Sequence, residues 1–196
     1  SSILRNTPMR RVDLPTPSML EYRRRDVIYV GTIDKGIRDL EVLYEADRFV
    51  GRPVSVDCYT FDMTNDYVRS LAGRAGCLEN LIVRFLNPVP YQQYWSLLDG
   101  YRVGIIPHRR NTITDFTVPN KLYDYLERGL QTLASDNPAI VCELERIGRG
   151  AAYKGEDPMD LAENLARLLD KSRVGTYFER GLPEEFYFSE GMKKLC

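Results

Sequence analysis

Short apolar runs alternate with amphipathic stretches through most of this chain, and that alternation constrains its fold more than any other feature. Runs at 27–30, 54–59, 81–85, 103–106, 130–134 and 151–153 have the length and composition of strands. Val27-Ile28-Tyr29-Val30 shows no polar alternation, the pattern of a strand covered on both faces. Between the runs, helical periodicity marks 39–49, 65–72, 91–98, a stretch opening at Pro119 and closing at Gly129, 138–146 and 158–169. Asp62 or Thr64 is the expected N-cap of the second helix. Pro119 is placed in the first turn of the fourth, where its missing N–H would be unpaired anyway. Strands alternating with helices imply βαβ units. The expected fold class is α/β, a doubly wound parallel sheet of about six strands with helices on both faces.

The 196 residues suit one domain over 26–175 with two appendages. Residues 1–25 are Pro-rich (Pro8, Pro15, Pro17) and read as an extended lead-in; 176–196 form an aromatic tail that ends in a short helix. A net charge of −1 gives no electrostatic basis for nucleic acid as a partner, and Arg23-Arg24-Arg25 reads as a solvated turn. Four cysteines without a CxxC and a single histidine argue against a metal site and for reduced thiols in a cytoplasmic protein. No apolar run approaches the roughly 18 residues that span a bilayer. The chain opens on Ser1 rather than Met, which points to an excised piece or a processed chain.

In open parallel sheets ligands bind outside the carboxyl ends of the strands. The loops to search follow Val30, Tyr59, Phe85, Ile106 and Ala134. The first lacks GxGxxG, which argues against a dinucleotide, but Gly31 permits close backbone approach and Lys35 offers a phosphate a point charge. Arg38 is the reserve candidate for that role. After the fourth run, His108 stands beside Arg109 and Arg110, a pair suited to a diphosphate. The helix opening near Pro119 offers unpaired N–H groups to an anion, and Asp124 is the acceptor type that a vicinal diol such as ribose requires. A solvated lysine, a structural histidine and a charge favourable to the helix dipole remain the plain alternatives.

VPNKLYDYLERGLQTLASD resembles the PNKLFEYMAAGLPVIASD-type segment of the group 1 glycosyltransferases, the retaining family with the GT-B fold. VIYVGTID resembles the first strand and phosphate loop of that family's Rossmann-like C-terminal domain. ENLIVRFLNPVPYQQYWSLLDGYRVGIIPHR and EDPMDLAENLARLLD are similar to later segments, in the family's order, so the likeness covers roughly residues 3 to 190. The aromatic tail resembles the segment that crosses back to the other domain. The resemblance implies a domain that binds a nucleotide-diphosphate sugar, while a separate N-terminal domain receives a glycan or lipid-linked acceptor. It implies neither cofactor nor metal, a role in polysaccharide biosynthesis, and peripheral membrane association of the full enzyme as an open option.

Carried over by position, Lys35, Lys121 and Asp124 are the catalytic candidates, with Asp124 on the ribose where the family has glutamate. Gly31, Thr32, Val89, His108, Arg109, Asp115 and Asn120 are the donor-binding candidates. Three positions depart from the family pattern. Thr32 stands where arginine is common, Phe116 where the first of two paired glutamates falls (Asp115 being the neighbouring substitute), and Asp124 is one methylene short. A non-catalytic nucleotide-binding or partner-docking module of the same fold is the alternative. With one domain of the two, the chain alone is expected to bind donor weakly and transfer little.

Overall fold

The computed structural model describes residues 25–38, 40–171, 181–183 and 186–187. Six strands form one parallel sheet: β1 (Arg25–Val30), β2 (Val54–Tyr59), β3 (Leu81–Leu86), β4 (Tyr101–Ile106), β5 (Gln131–Ser135) and β6 (Ala151–Tyr153). Their spatial order is β3-β2-β1-β4-β5-β6, so the winding direction reverses between β1 and β4. The connecting helices are α1 (Glu41–Ala46), α2 (Asp66–Ala75), α3 (Tyr91–Asp99), α4 (Asn120–Glu127), α5 (Pro138–Ile147) and α6 (Pro158–Lys171). The α/β class, the parallel sheet and the strand number are those expected from the sequence. None of the described helices is long and apolar enough to cross a membrane.

Strand residues alternate between two apolar layers, as a period of two requires. Val27, Tyr29, Val56, Val103 and Ile105 join Leu43 of α1, Leu71 of α2 and Leu165 of α6. Ile28, Ile106 and Ala134 join Trp95 of α3, Leu122 and Tyr125 of α4 and Ile140 of α5. Each aliphatic side chain buried in this way contributes roughly 1.5–3 kcal/mol. Arg128, just past α4, forms a two-pronged ion pair with Asp99 at the end of α3, at 2.8 Å (Nε–Oδ1) and 2.5 Å (Nη2–Oδ2). The pair is buried, so loss of either partner would strand a charge.

Several boundaries move for identifiable reasons. The helix expected over 39–49 stops at Ala46, and Asp47–Phe49 forms a 3-10 turn. The Asp47 carboxylate there accepts the backbone N–H groups of Glu79 (2.9 Å), Asn80 (2.9 Å) and Leu81 (2.7 Å), tying the turn to the start of β3. Asn65, rather than Asp62 or Thr64, caps α2 by accepting from Tyr67 N–H at 2.8 Å. Pro119 is extended and is the N-cap of α4, not part of its first turn.

The lead-in up to Arg24 and most of the aromatic tail lie outside the described residues. Where the tail is described it packs on α4. The carboxylate of Glu127 accepts from the Leu182 N–H (3.1 Å) and the Tyr187 hydroxyl (2.8 Å), while Phe186 is buried near Tyr123.

The sheet opens where its winding reverses. β1 pairs with β4 only as far as Ile28 opposite Gly104, whereas β4 stays with β5 to Ile106 opposite Ala134. Tyr125 of α4 packs into the gap. Its ring lies so close to β4 that a Cβ at position 104 would sit 2.2 Å from Cδ2, and its hydroxyl accepts the Val30 N–H at 3.2 Å. Gly104→Ala is therefore expected to lower stability by about 3 kcal/mol, the upper range for overpacking against a ring that cannot turn away. Urea unfolding would measure it, and an unchanged midpoint would contradict the wedge.

Candidate functional site

The crevice between the ends of β1 and β4 is floored by Gly31. Its φ of 138° suits glycine alone, and its N–H bonds to Tyr59 O at 2.9 Å. Across from it Lys121, in the first turn of α4, lays its ammonium on the face of Tyr29, with Nζ 4.2 Å from the ring centroid. A Cβ at position 31 would lie 3.1 Å from that Nζ, so the glycine leaves room for the ammonium. Lys121 Nζ is out of solvent and has no hydrogen-bond partner among the described residues. Burial, seconded by the Arg38 charge, pushes its pKa down to about 7; Asp124 and Asp34 oppose the shift.

Arg38 and His108 close the crevice from the outer side. The loops after β1 and β4 meet in a short antiparallel bridge between these two residues, and Arg109 N–H adds a bond to Ile37 O at 2.9 Å. The Arg38 guanidinium donates to Thr32 Oγ1 (2.8 Å) and Asp34 Oδ2 (2.6 Å). His108 is 7% exposed, and neither ring nitrogen finds a hydrogen-bond partner among the described residues. Burial, then the Lys121 and Arg38 charges, push its pKa down to about 4, so the ring is neutral at physiological pH. Arg38, paired with Asp34, and the ammonium of Lys121, which has no hydrogen-bond partner among the described residues, thus gather with a neutral imidazole at a helix start, an arrangement suited to an anion.

The structure thus brings Gly31, Thr32, Lys121 and His108 together and adds Arg38 and Tyr29. Arg38 was only a reserve to Lys35, and Tyr29 reads in sequence as a plain core position. Lys35 stands exposed on the turn over 35–37, and Asn120 is exposed at the helix start. Asp124, one helical step along α4, accepts the Tyr94 hydroxyl at 2.9 Å on Oδ2. Val89 packs against the apolar layer that holds α3 and α4.

Arg109 reaches the other way, to Glu156 at 3.4 Å. Asp115 is held by Arg110 (2.7 Å) and Asn137 (3.1 Å), an arrangement that lowers its pKa. Phe116, beside it, is 83% exposed.

The folded imidazole takes a proton only near pH 4, whereas an unfolded one does so near 6.5. Between these values the unfolded chain binds more protons, so stability falls as pH falls through the window. The loss expected from His108 is roughly 3 kcal/mol. Denaturant titrations at several pH values should show it, and His108→Gln should remove that part of the slope. An unchanged slope would refute the buried neutral ring.

No protein-family model and no curated protein sequence matches this chain. Solved structures do. The C-terminal domain of a group 1 family glycosyl transferase (LpcC) from Francisella tularensis aligns with a TM-score of 0.61 and 12% identity, over 86% of this chain and 93% of that one. Anabaena Alr3699/HepE, in complex with UDP and glucose, aligns with a TM-score of 0.63 and 13% identity, over 98% of this chain and 55% of that one. The UDP-GlcNAc 2-epimerase of Methanocaldococcus jannaschii, in complex with UDP-GlcNAc and UDP, gives 0.58 and 9% over 91% and 46%. The chain spans about half the length of the last two structures and nearly all of the Francisella domain. At such identities the likeness is one of fold: this chain has the Rossmann-like fold that the Francisella structure carries as the C-terminal domain of a group 1 glycosyl transferase.

Proposed function

We propose that this chain is the donor-binding half of a glycosyltransferase that takes a sugar from a nucleotide-diphosphate sugar and passes it to a glycan or lipid-linked acceptor. The observation that carries the reading is the buried, unmatched ammonium of Lys121 beside Gly31 and the start of α4. A diphosphate placed there gives the ammonium the counter-charge it lacks. As the bond from the sugar's anomeric carbon to the diphosphate breaks, negative charge grows on the departing oxygen. Lys121 and the positive end of the α4 dipole stabilise it without reorganising, and Arg38 adds its field from the outer side. In this scheme those groups do the work that a metal does elsewhere, and no cofactor enters.

Asp124 takes the ribose hydroxyls, sharing its oxygens with Tyr94, since a carboxylate accepts from several donors. Val89 lies by the base. Lys35, Thr32 and Asn120 complete the donor contacts from the rim, with His108 and Arg109 behind them and Asp115 near the transferred sugar. The acceptor is received by a second domain, in keeping with the Anabaena and Methanocaldococcus chains being about twice as long as the part this chain matches. Support for a nucleotide sugar as ligand also comes from the UDP named in both of those structures.

A non-catalytic nucleotide-binding module is the second reading. It is favoured by the exposed Phe116 at the place of a catalytic glutamate and by an Asp115 already held by Arg110 and Asn137. Glycosyl transfer by the full-length protein separates the two readings.

UDP or GDP at millimolar concentration is expected to raise the melting temperature. Binding should weaken as pH rises above about 7, where the ammonium of Lys121 loses its proton in the free protein. Lys121→Met should abolish the nucleotide effect yet raise the melting temperature of the free protein near neutral pH, because a buried charge is removed. If neither nucleotide shifts the melting of the parent chain, the donor-site reading fails.

A further inference from the structure

Lys121 rises from α4, whose apolar side chains belong to one layer of the core, yet its ammonium ends on a ring that belongs to the other. Leu122 and Tyr125 of α4 pack in the layer with Ile28, whereas Tyr29 packs with Leu43 and Leu71 on the opposite side of the sheet. The lysine therefore crosses between layers at the end of β1, where Gly31 leaves it space, and sets Nζ 4.2 Å from the centroid of the Tyr29 ring.

This contact is stronger than the same pair would be at a surface. A ring face attracts a cation through its quadrupole, and the attraction grows as the pair is desolvated. Nζ is out of solvent and has no hydrogen-bond partner among the described residues, so bulk water does not compete with the ring. Tyr29 is fully buried within β1, and close packing keeps its ring from swinging away. Of the charged groups around the ammonium, Arg38 opposes it while Asp34 and Asp124 favour it, and His108, from the loop after β4, is neutral at pH 7.

The other end of Tyr29 acts on the backbone. Its hydroxyl donates to the carbonyl of Thr32, in the loop after β1. Burial holds the phenol well above its ordinary pKa, so it keeps the proton that it donates. The same loop is tied at the Gly31 N–H to Tyr59 O (2.9 Å) and at the Ile33 N–H to Asp62 Oδ2 (3.4 Å). A Cβ on Gly31 would lie 3.7 Å from the Tyr29 hydroxyl oxygen and 3.1 Å from Nζ, so the loop lies against both ends of the contact.

We propose that Tyr29 is the positioning residue of the crevice: its ring face holds the Lys121 ammonium at the end of β1, and its hydroxyl fixes the Thr32 carbonyl and with it the course of the Gly31 loop. Charge and loop are placed by one side chain. The value of this for donor binding rests on the reading of the crevice given above; the effect on Lys121 itself does not.

The Cε–H signals of Lys121 in a ¹H–¹³C spectrum of lysine-labelled protein, assigned by their absence in Lys121→Met, report its titration. Tyr29→Phe keeps the ring and is expected to keep the midpoint. Trifluoro- and then pentafluorophenylalanine at position 29 nearly preserve the shape but drain and reverse the quadrupole. The midpoint should then fall stepwise, by roughly 0.4 to 1.5 units in all. A ring that serves only as packing would leave it in place. UDP binding at pH 7 should weaken along the fluorinated series and recover in part at pH 6, where more of the amine is protonated. The hydroxyl is read in Tyr29→Phe, in which the amides of Gly31 and Ile33 should exchange hydrogen at least about threefold faster. A midpoint unmoved by fluorination, or one that falls as far in Tyr29→Phe as with pentafluorophenylalanine, overturns the role of the ring. Unchanged exchange in Tyr29→Phe overturns that of the hydroxyl. UDP that fails to bind the parent chain overturns the donor reading alone, because the lysine titration needs no ligand.

Discussion

The parting of β1 from β4 is the constraint on which the rest of this molecule depends. Parallel neighbours keep their hydrogen-bond ladder unless something takes its place, and here that something is Tyr125. Its ring occupies the volume that a side chain at Gly104 would fill, and its hydroxyl serves the Val30 N–H. Lys121 precedes Tyr125 by four residues, so both lie on one face of α4. The residue that wedges the sheet open therefore also fixes where the ammonium goes. Opening and charging the crevice are one act of helix packing.

That placement sets stability against readiness. Lys121 and His108 are both kept short of partners in a region where burial disfavours charge. An apolar side chain at either position would relieve the protein of an unmatched polar group. Arg38 deepens the conflict by bringing a second cation to the loops after β1 and β4. Such an arrangement is hard to explain by folding alone, and simple to explain if a ligand with negative charge and hydroxyl groups completes it.

Much of the fold was legible because its signals are local. Apolar runs, Gly129 closing α4 in the left-handed region and the strong periodicity of 158–169 each report on their own neighbourhood. The early end of α1 has its cause in a side chain that binds backbone far away. Asp47 looks like one more helical residue until the N–H groups of residues 79–81 are placed beside it.

The candidate crevice was legible to the extent that its residues lie in one loop or one helix turn: Gly31, Lys121 and His108, singled out in the sequence, lie near one another in the structure. Arg38 was ranked below Lys35 because nothing in sequence reveals the bridge to His108 that draws it inward. Tyr29 looked like core because its ring is core; its second role, as a platform for Nζ, exists only once α4 is docked.

The grip of the tail on Glu127 gives α4 an unusual standing. Six residues, or about 9 Å of helix rise, separate the Lys121 backbone from a carboxylate whose Oε2 accepts from Leu182 and Tyr187. Lifting the tail would leave that carboxylate in apolar surroundings, so the far end of the helix would have to move or admit water. The helix thus carries the buried ammonium at one end and the attachment of the chain's own C-terminal segment at the other.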